Sequence, residues 1–265
     1  MLRQPQTLTT DQAKAERIKI LTANEKKYIP GVLKLRPESP ADGYLCLPDK
    51  YPPLRPQVAR VKVIDRDAYE IAIDLTKENT KAGDKKLTWI VGPGGRPVLS
   101  EHPYCDSQKA ILLWKAYQVV YSPTVIIFRT RGTKDYNCEY PLMDFNHPQD
   151  FPVVSVVSVA AIYKPKVDSK ANPPTWAKAK DWDLMYEKIW IALRICAHNG
   201  HRSIVLGALG AGVFGNPSQA VTIAFREVLQ EPEFRARFDN IVFAVLQDNN
   251  KCYDVFHKEL DGVQV

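Results

Sequence analysis

Four glycines follow an apolar stretch late in the chain, in the segment LGALGAGVFGNPSQAV (residues 206–221). The preceding residues, SIVLGAL (203–209), have the composition of a buried strand, and PSQAVTIAFREVLQ (217–230) has the periodicity of a helix. Asn216 and Pro217 are typical of the N-cap and first turn of such a helix. The segment is therefore predicted to connect the carboxyl end of a strand to the N-terminus of a helix.

A loop in this position is suited to binding phosphate, because main-chain amides point outward at a helix N-terminus and attract anions. Gly207, Gly210, Gly212 and Gly215 would let a ligand approach the backbone without interference from side chains. The alternative is a tight turn with positive φ, which would need only one or two glycines. The pattern favours a phosphate-binding loop.

Gly210, Gly212 and Gly215 also fit the GxGxxG pattern of dinucleotide-binding folds. In those folds the pattern follows the first strand, and several strands come after it. Here about one strand and one helix remain, and the acidic residues Glu231 and Glu233 do not end a strand. The dinucleotide-binding interpretation is therefore not favoured.

Strand-like and helix-like segments alternate from about residue 58 to the C-terminus. The predicted strands are 58–64, 87–91, 124–129, 153–163, 203–209 and 240–246, and the predicted helices are 67–79, 106–118, 181–200, 217–230 and 250–260. This alternation predicts an α/β fold with three α/β/α layers and a mixed, largely parallel sheet. Residues 1–57 are expected to form a separate helix (11–29) and an extended, proline-rich arm (30–57), before a domain at 58–265.

The composition is that of a globular protein, with 45% hydrophobic and 25% charged residues. The net charge of +6 favours acidic ligands, but it is scattered, so no direct contact with nucleic acid is predicted. Five widely spaced cysteines without a CxxC pair argue against disulfides and zinc, and we expect the cytoplasm or nucleus, without metal or cofactor. The longest apolar run (153–163) is too short for a bilayer, and the N-terminus does not look like a secretory signal.

The segment SIVLGALGAGVFGNPSQAVTIAFREVL, followed by FDNIVFAVL, resembles the second phosphate loop and last strand of the macrodomain fold. More narrowly, it resembles the microbial-type poly(ADP-ribose) glycohydrolases and their eukaryotic relatives. YSPTVIIFR (121–129) is similar to that family's central strand, and RVKVIDRDAYEIA (60–72) to its first strand and helix. The resemblance covers about residues 15–262. It implies that ADP-ribose is bound in a cleft at the strand ends.

The resemblance also implies which residues bind ADP-ribose. The loop amides would hold the diphosphate and the distal ribose, and the Phe214 ring would pack on a sugar or else belong to the core. The implied residues are Gly207, Ala208, Gly210, Ala211, Gly212, Val213 and Phe214, with Gly94 and Gly95 as the remnant of a second glycine loop. Asp67 would accept a hydrogen bond from the adenine amino group, unless it is the N-cap of the next helix. Asp65 is the alternative to Asp67, and Asp248 would face the cleft or belong to an ordinary loop.

The chain departs from the family where the family's acid–base chemistry lies. There, a triple-glycine loop precedes a Gln-Glu-Glu segment whose second Glu acts on the glycosidic bond. In this chain Gln108 matches the Gln, but Lys109 and Ala110 stand where the glutamates are expected, and Glu101 is a nearby carboxylate on a loop. Breaking a glycosidic bond requires a carboxyl group. Cleavage of a polymer by the usual route is therefore not predicted.

A second way to supply a catalytic carboxylate is found in relatives that include effector-type and fungal ADP-ribosyl-arginine hydrolases. These relatives use aspartates that precede the long helix. The matching segment is YKPKVDSKANPPTWAKAKDWDLMYEKI (163–189), in which Asp181 matches best and Asp168 and Asp183 are its neighbours. A carboxylate facing the anomeric carbon would orient water or stabilise an oxocarbenium-like state. Acidic residues at a helix start also cap free amides, so both interpretations of Asp181 stay open.

Together these features predict a protein whose partner is ADP-ribose or an ADP-ribosylated protein. One hypothesis is a hydrolase that removes ADP-ribose from a protein side chain such as arginine. A second is a non-enzymatic reader of ADP-ribose, and a third is a degenerate scaffold. The remaining motif, HNGH (198–201), is interpreted as a helix cap at the surface rather than a metal site.

Overall fold

A β-sheet with helices on both faces forms the centre of the protein. The computed structural model describes residues 10–36, 58–81, 89–93, 119–129, 142–247 and 251–265. The strands in these ranges are β1 (Val61–Ile64), β2 (Trp89–Pro93), β3 (Val119–Ile126), β4 (Val153–Val159), β5 (Val167–Asp168), β6 (Thr175–Trp176), β7 (Ser203–Leu206) and β8 (Asn240–Ala244). The α-helices are α1 (Thr10–Ala23), α2 (Ile29–Leu35), α3 (Ala68–Lys81), α4 (Ala179–His198), α5 (Ser218–Leu229) and α6 (Cys252–Leu260).

Six strands form the main sheet in the order β1-β8-β7-β2-β4-β3, and β5 pairs with β6 in a separate hairpin. Neighbouring strands of the main sheet are parallel, except that β3 runs antiparallel to β4 at one edge. The predicted mixed, largely parallel sheet is confirmed. The carboxyl ends of β1, β2, β4, β7 and β8 consequently lie along one side of the sheet, which we call the carboxyl edge.

Strands β7 and β8 are buried on both faces, which is why the sheet carries two helical layers. In β7, Ile204 and Leu206 lie in the core cluster formed with α4, α5 and α6. Between them, Val205 points to the opposite face and packs in the cluster that contains Ile71 and Leu75 of α3. The strand is fully buried, and its side chains alternate as a pleated backbone requires. The predicted three-layer α/β/α architecture is confirmed.

The helix after the glycine loop, α5, shows how the sequence specifies this packing. Its buried residues recur with helical spacing and form one apolar face. They are Ala220, Val221, Thr222, Ala224, Phe225, Val228 and Leu229. Phe225 meets the ring of Phe243 in β8 at 5.0 Å and nearly at a right angle. Complete burial of such a side chain contributes about 2–3 kcal/mol, so this face fixes the helix beside the loop that precedes it.

Several predicted boundaries differ from the observed ones. β3 begins at Val119 rather than at residue 124, and β4 ends at Val159 rather than at 163. The helix predicted at 106–118 lies outside the described residues. The helices of the described ranges are all too short or too polar to cross a membrane.

The prediction of an extended arm at 30–57 is wrong for its first residues, because α2 is helical from Ile29 to Leu35. Pro30 stands in the first turn of α2, which continues directly from a π-helical turn at Asn24–Tyr28. Ile29 and Val32 of this helix share a core cluster with Ile126 of β3, Phe128 and Phe151. The division of the chain at residue 57 stays a prediction, but α2 is packed against the sheet.

Candidate functional site

The parallel strands bring most of the predicted site residues to the carboxyl edge. Asp65 and Asp67 follow β1, and the segment with Asp168, Asp181 and Asp183 follows β4. The glycine loop (residues 207–217) follows β7. Gly94, Gly95, Glu101, Gln108, Lys109, Ala110 and Asp248 lie outside the described residues. This edge is the usual place for ligands in open α/β sheets.

The glycine loop has unpaired main-chain amides. Within the described part of the chain, the amides of Gly210, Gly212, Val213 and Phe214 have no hydrogen-bond partner. Gly212 and Val213 are exposed, Val213 at 90%, whereas Gly210 is buried, so the loop opens to solvent from Gly212 onward. The Ala211 amide is different, because it donates to the Ala208 carbonyl at 3.1 Å and is not available to a ligand.

The glycines of the loop are required for different reasons. Gly210 has φ +69°, and a Cβ there would lie 2.5 Å from Asn216 Nδ2 and 2.6 Å from Ala161 Cβ. Gly215 has φ +70° but open space around its Cβ position. Gly212 has neither a positive φ nor any atom within 4 Å of a Cβ. The fold therefore requires glycine at 210 and 215, whereas nothing within the described residues requires it at 212.

Asn216 is not the N-cap of α5, and that prediction is wrong. The cap position is Pro217, and no side chain caps the helix. Asn216 is 3% exposed and turns inward instead. Its Nδ2 donates to the carbonyls of Ile162 at 2.7 Å and Gly210 at 3.0 Å, and its Oδ1 accepts from Trp176 Nε1 at 3.0 Å. Leaving buried polar groups unpaired costs more than leaving an exposed helix end uncapped, because water reaches the exposed end.

This buried amide ties three segments of the carboxyl edge together. The glycine loop, the chain after β4 and strand β6 all meet at Asn216. Trp176 of β6 also packs against Trp182 in the first turns of α4, with ring centroids 5.7 Å apart. The start of α4, where Asp181 and Asp183 lie, is thereby positioned relative to the glycine loop.

An aromatic pair stands beside the loop. Phe214 is half-buried against the main core, and its ring meets Tyr163 edge to face at 5.3 Å. Tyr163 is 56% exposed. The Lys164 amide donates to the Phe214 carbonyl at 2.8 Å. Tyr163 was not among the predicted site residues, although an aromatic residue shortly after a strand end is a signal that the sequence contains.

The three aspartates after β4 lie in two different elements. Asp181 is half-buried in the first turn of α4, and its amide donates to the Lys178 carbonyl at 2.9 Å. Asp183 is exposed. Asp168 is exposed on β5, where its Oδ1 accepts from the Lys170 amide at 3.0 Å. Their catalytic roles stay predictions. In the described ranges no three His, Cys, Asp or Glu side chains are placed to hold a metal ion.

The two aspartates after β1 are engaged within the protein. Asp67 Oδ1 accepts from the amides of Tyr69 at 2.9 Å and Glu70 at 3.4 Å, so Asp67 is the N-cap of α3. Asp65 Oδ1 accepts from the Gln247 amide at 2.8 Å. These bonds use one carboxylate oxygen of each residue, and a contact of Asp67 with adenine stays a prediction.

The HNGH motif ends α4, but it is not all at the surface. Gly200 has φ 74°, and the His201 amide closes the helix end by donating to the Cys196 carbonyl at 3.1 Å. The predicted surface position is wrong for His201, which is 5% exposed. Its Nε2 lies 3.3 Å from the hydroxyl oxygen of Tyr121. Its burial follows from its place between the end of α4 and the fully buried strand β7.

No family model and no curated protein matches the sequence. Among solved structures, the chain is similar to the poly(ADP-ribose) glycohydrolase of Thermomonospora curvata, with a TM-score of 0.62 and 17% identity over 94% of this chain and 99% of that one. The poly(ADP-ribose) glycohydrolase of Deinococcus radiodurans in complex with ADP-ribose has a TM-score of 0.54 and 18% identity over 98% of both chains. The apo form of the same enzyme has a TM-score of 0.53 and 18% identity, over 98% of this chain and 97% of that one. The likeness extends over nearly the whole chain, which therefore has the fold of these glycohydrolases.

Proposed function

We propose that this protein binds ADP-ribose at the carboxyl edge and hydrolyses the bond between ADP-ribose and a modified protein side chain. The fold supports the proposal, because a similar solved structure is a glycohydrolase in complex with ADP-ribose. The open amides at the carboxyl edge support it independently, because they come from this chain's own hydrogen bonds.

The observation that carries the proposal is Gly212. Among the described residues, neither backbone conformation nor packing accounts for a glycine there, and its own amide and those of Val213 and Phe214 have no hydrogen-bond partner. A ligand that contacts the backbone would account for it, because any side chain would stand in the ligand's place. The diphosphate of ADP-ribose, with two negative charges, matches amide donors beside the uncapped N-terminus of α5.

Asp181 is the carboxylate that we assign to the hydrolysis. It is half-buried in the first turn of α4, and its neighbour Trp182 links that turn to the glycine loop through Trp176 and Asn216. A carboxylate at the ribose anomeric carbon would stabilise the positive charge that develops as the glycosidic bond breaks, or orient the attacking water. Arginine-linked ADP-ribose is the substrate that the resemblance of this segment favours.

A reader of ADP-ribose is the second candidate function. The sequence has Lys109 and Ala110 where the similar family has its catalytic glutamates. Without an effective carboxylate the cleft would bind ADP-ribose and leave its linkage intact. Binding and release must therefore be measured separately.

Calorimetry with ADP-ribose tests the binding site. We expect Gly212→Glu to weaken binding at least about tenfold, because a carboxylate would lie beside the diphosphate at a position with room for it. Gly31→Glu is the matched control, because Gly31 in α2 also has open space at its Cβ position. Both variants should melt near the wild-type temperature. Absence of ADP-ribose binding by the wild type, or full binding by Gly212→Glu, would contradict the proposal.

Release of ADP-ribose from a mono-ADP-ribosylated arginine protein tests the reaction. We expect Asp181→Asn to lower the release rate about a hundredfold or more with little change in ADP-ribose affinity. Asp150→Asn, at an exposed aspartate before the amino end of β4, is the control and should retain the wild-type rate. Binding without release by the wild type would identify a reader, and an unchanged rate for Asp181→Asn would remove that residue from the mechanism.

A further inference from the structure

Five lysines lie in residues 163–180, from the chain after β4 to the first turn of α4, and we call this segment the lysine ridge. They are Lys164, Lys166, Lys170, Lys178 and Lys180, and all five are exposed. None of them forms an ion pair with a described residue. The ridge has one acidic residue, Asp168, so its net charge is +4. The formal net charge of the whole chain is +6. The charge of this short segment therefore equals two thirds of that net value.

Hydrogen bonds hold the ridge in a fixed shape beside the glycine loop. The Lys164 amide donates to the Phe214 carbonyl at 2.8 Å, and the Ala177 amide donates to the Lys166 carbonyl at 2.9 Å. Trp176, in the same hairpin, is anchored to Asn216. The lysines are therefore carried by an ordered backbone, and a partner would not have to order the segment when it binds.

The hairpin register brings the two lysine-bearing segments side by side. Val167 pairs with Trp176, and Lys166 is bonded to Ala177, which directly precedes Lys178. Lys164 is two residues nearer to the glycine loop. The positive charges therefore extend from the glycine loop along the hairpin to the start of α4. Asp181 and Asp183 begin just beyond that point and limit the positive surface there.

The exposed apolar side chains of this region favour a polypeptide as the partner. Val167, on the ridge, is 39% exposed, and Tyr163 and Val213 beside the loop are more exposed still. Together with the lysines they offer both charged and apolar contacts, which suits a polypeptide that carries both kinds of side chain. A nucleic-acid surface would favour arginines and free aromatic faces, but the ridge has no arginine. The ring of Tyr163 already contacts Phe214 and has Lys164 Nζ at 5.4 Å.

We infer that the lysine ridge is a docking surface for an acidic stretch of polypeptide. Resting on the proposed function, the inference further assigns this stretch to the modified protein, next to the ADP-ribosylated side chain. A partner held by exposed lysines binds through many weak, screened contacts, so binding should fall steeply as salt increases.

Fluorescence anisotropy with the full chain and a labelled peptide of alternating glutamate and valine tests the surface. We expect binding by the wild type that weakens at least about tenfold in Lys166→Glu/Lys170→Glu/Lys178→Glu. The matched control is Lys62→Glu/Lys77→Glu/Lys258→Glu, which makes the same change of charge at exposed positions on β1, α3 and α6. The control should bind the peptide within about threefold of the wild type. If the glutamate variant of the ridge does not fold, the triple Lys→Gln variant replaces it.

Three outcomes would overturn the docking surface. The first is no binding of the peptide by the wild type, and the second is equal loss of binding in the ridge and control variants. The third is tighter, ridge-dependent binding of a single-stranded oligonucleotide of the same charge, which would make the ridge a nucleic-acid surface.

Release from ADP-ribosylated peptides separates this inference from the proposed function. We expect a higher kcat/KM when the modified arginine is flanked by glutamates than by glutamines, with the advantage lost in the ridge variant. Release at equal rates from both peptides would overturn the link to the substrate and leave the proposed function intact. Ridge-dependent binding of the unmodified acidic peptide without any ADP-ribose binding would reject the proposed function and retain the surface.

Discussion

Two junctions at the carboxyl edge connect a strand to a helix in opposite ways. Between β1 and α3 the connection is short, and Asp67 caps the first amides of the helix at 2.9 and 3.4 Å. Asp65 in the same connection accepts from the Gln247 amide. Between β7 and α5 the connection is the glycine loop, no side chain caps the helix, and four loop amides have no partner in the described chain.

At one junction the polar groups hold the fold together, and at the other some of them are available to a ligand. At the β1–α3 junction, side chains satisfy the backbone, so the junction is complete without a ligand. At the β7–α5 junction the side chain that would have capped the helix, Asn216, is used to fix the loop from inside. The loop is thus held rigidly while its outer amides stay open to solvent, which is the preorganisation that an anion site needs. Three predictions test this difference.

Gly210→Ala should have the largest effect. It places a Cβ against Asn216 and Ala161 and forces a non-glycine residue to φ +69°, so we expect a loss of about 3–5 kcal/mol in the free energy of unfolding. Urea denaturation provides the measurement. Gly212→Ala is the matched control in the same loop and should change stability by no more than about 0.5 kcal/mol. Equal effects of the two substitutions would contradict the different roles assigned to these glycines.

The sequence predicted the layered architecture because that architecture follows from local patterns. Strands such as β7 are buried on both faces and read as continuous apolar runs, and α5 shows its apolar face directly in its spacing. The glycines also marked the connection between β7 and α5 as a loop, and its binding of phosphate stays a prediction. The sequence could not separate Gly210 from Gly212, because their difference lies in contacts with residues brought near by the fold.

The positions that the sequence mispredicts depend on the same long-range contacts. Asn before Pro is a common start of a helix, but Trp176, 40 residues away in sequence, captures the side chain of Asn216. The β5–β6 hairpin has only two residues in each strand, too few for a periodic signal, and it depends on that same anchor. His201 was expected at the surface because its flanking residues look like a helix end, whereas its burial follows from the depth of β7.

Asn216→Ala should have the second-largest effect. It leaves Trp176 Nε1 and the carbonyls of Ile162 and Gly210 without their shared partner. We therefore expect the free energy of unfolding to fall by about 2–3 kcal/mol. Trp176→Phe removes one donor and keeps most of the packing, so its cost should be about 1 kcal/mol. A double-mutant cycle in urea would measure the coupling of the two residues. Strict additivity would show that Asn216 does not connect the loop to β6.

Asp67 provides the smallest and most discriminating test of the comparison. Asp67→Ala removes the cap of α3 and should cost about 1 kcal/mol, whereas Asp67→Asn retains a capping oxygen and should cost only a few tenths. If Asp67 also accepts from adenine, Asp67→Asn would present an amide donor to the adenine amino group and weaken ADP-ribose binding at nearly unchanged stability. Calorimetry on the Asn variant, beside urea denaturation of both variants, therefore distinguishes the two roles. Unchanged ADP-ribose affinity would make the β1–α3 junction purely structural and leave the β7–α5 junction as the side of the cleft that recognises the ligand.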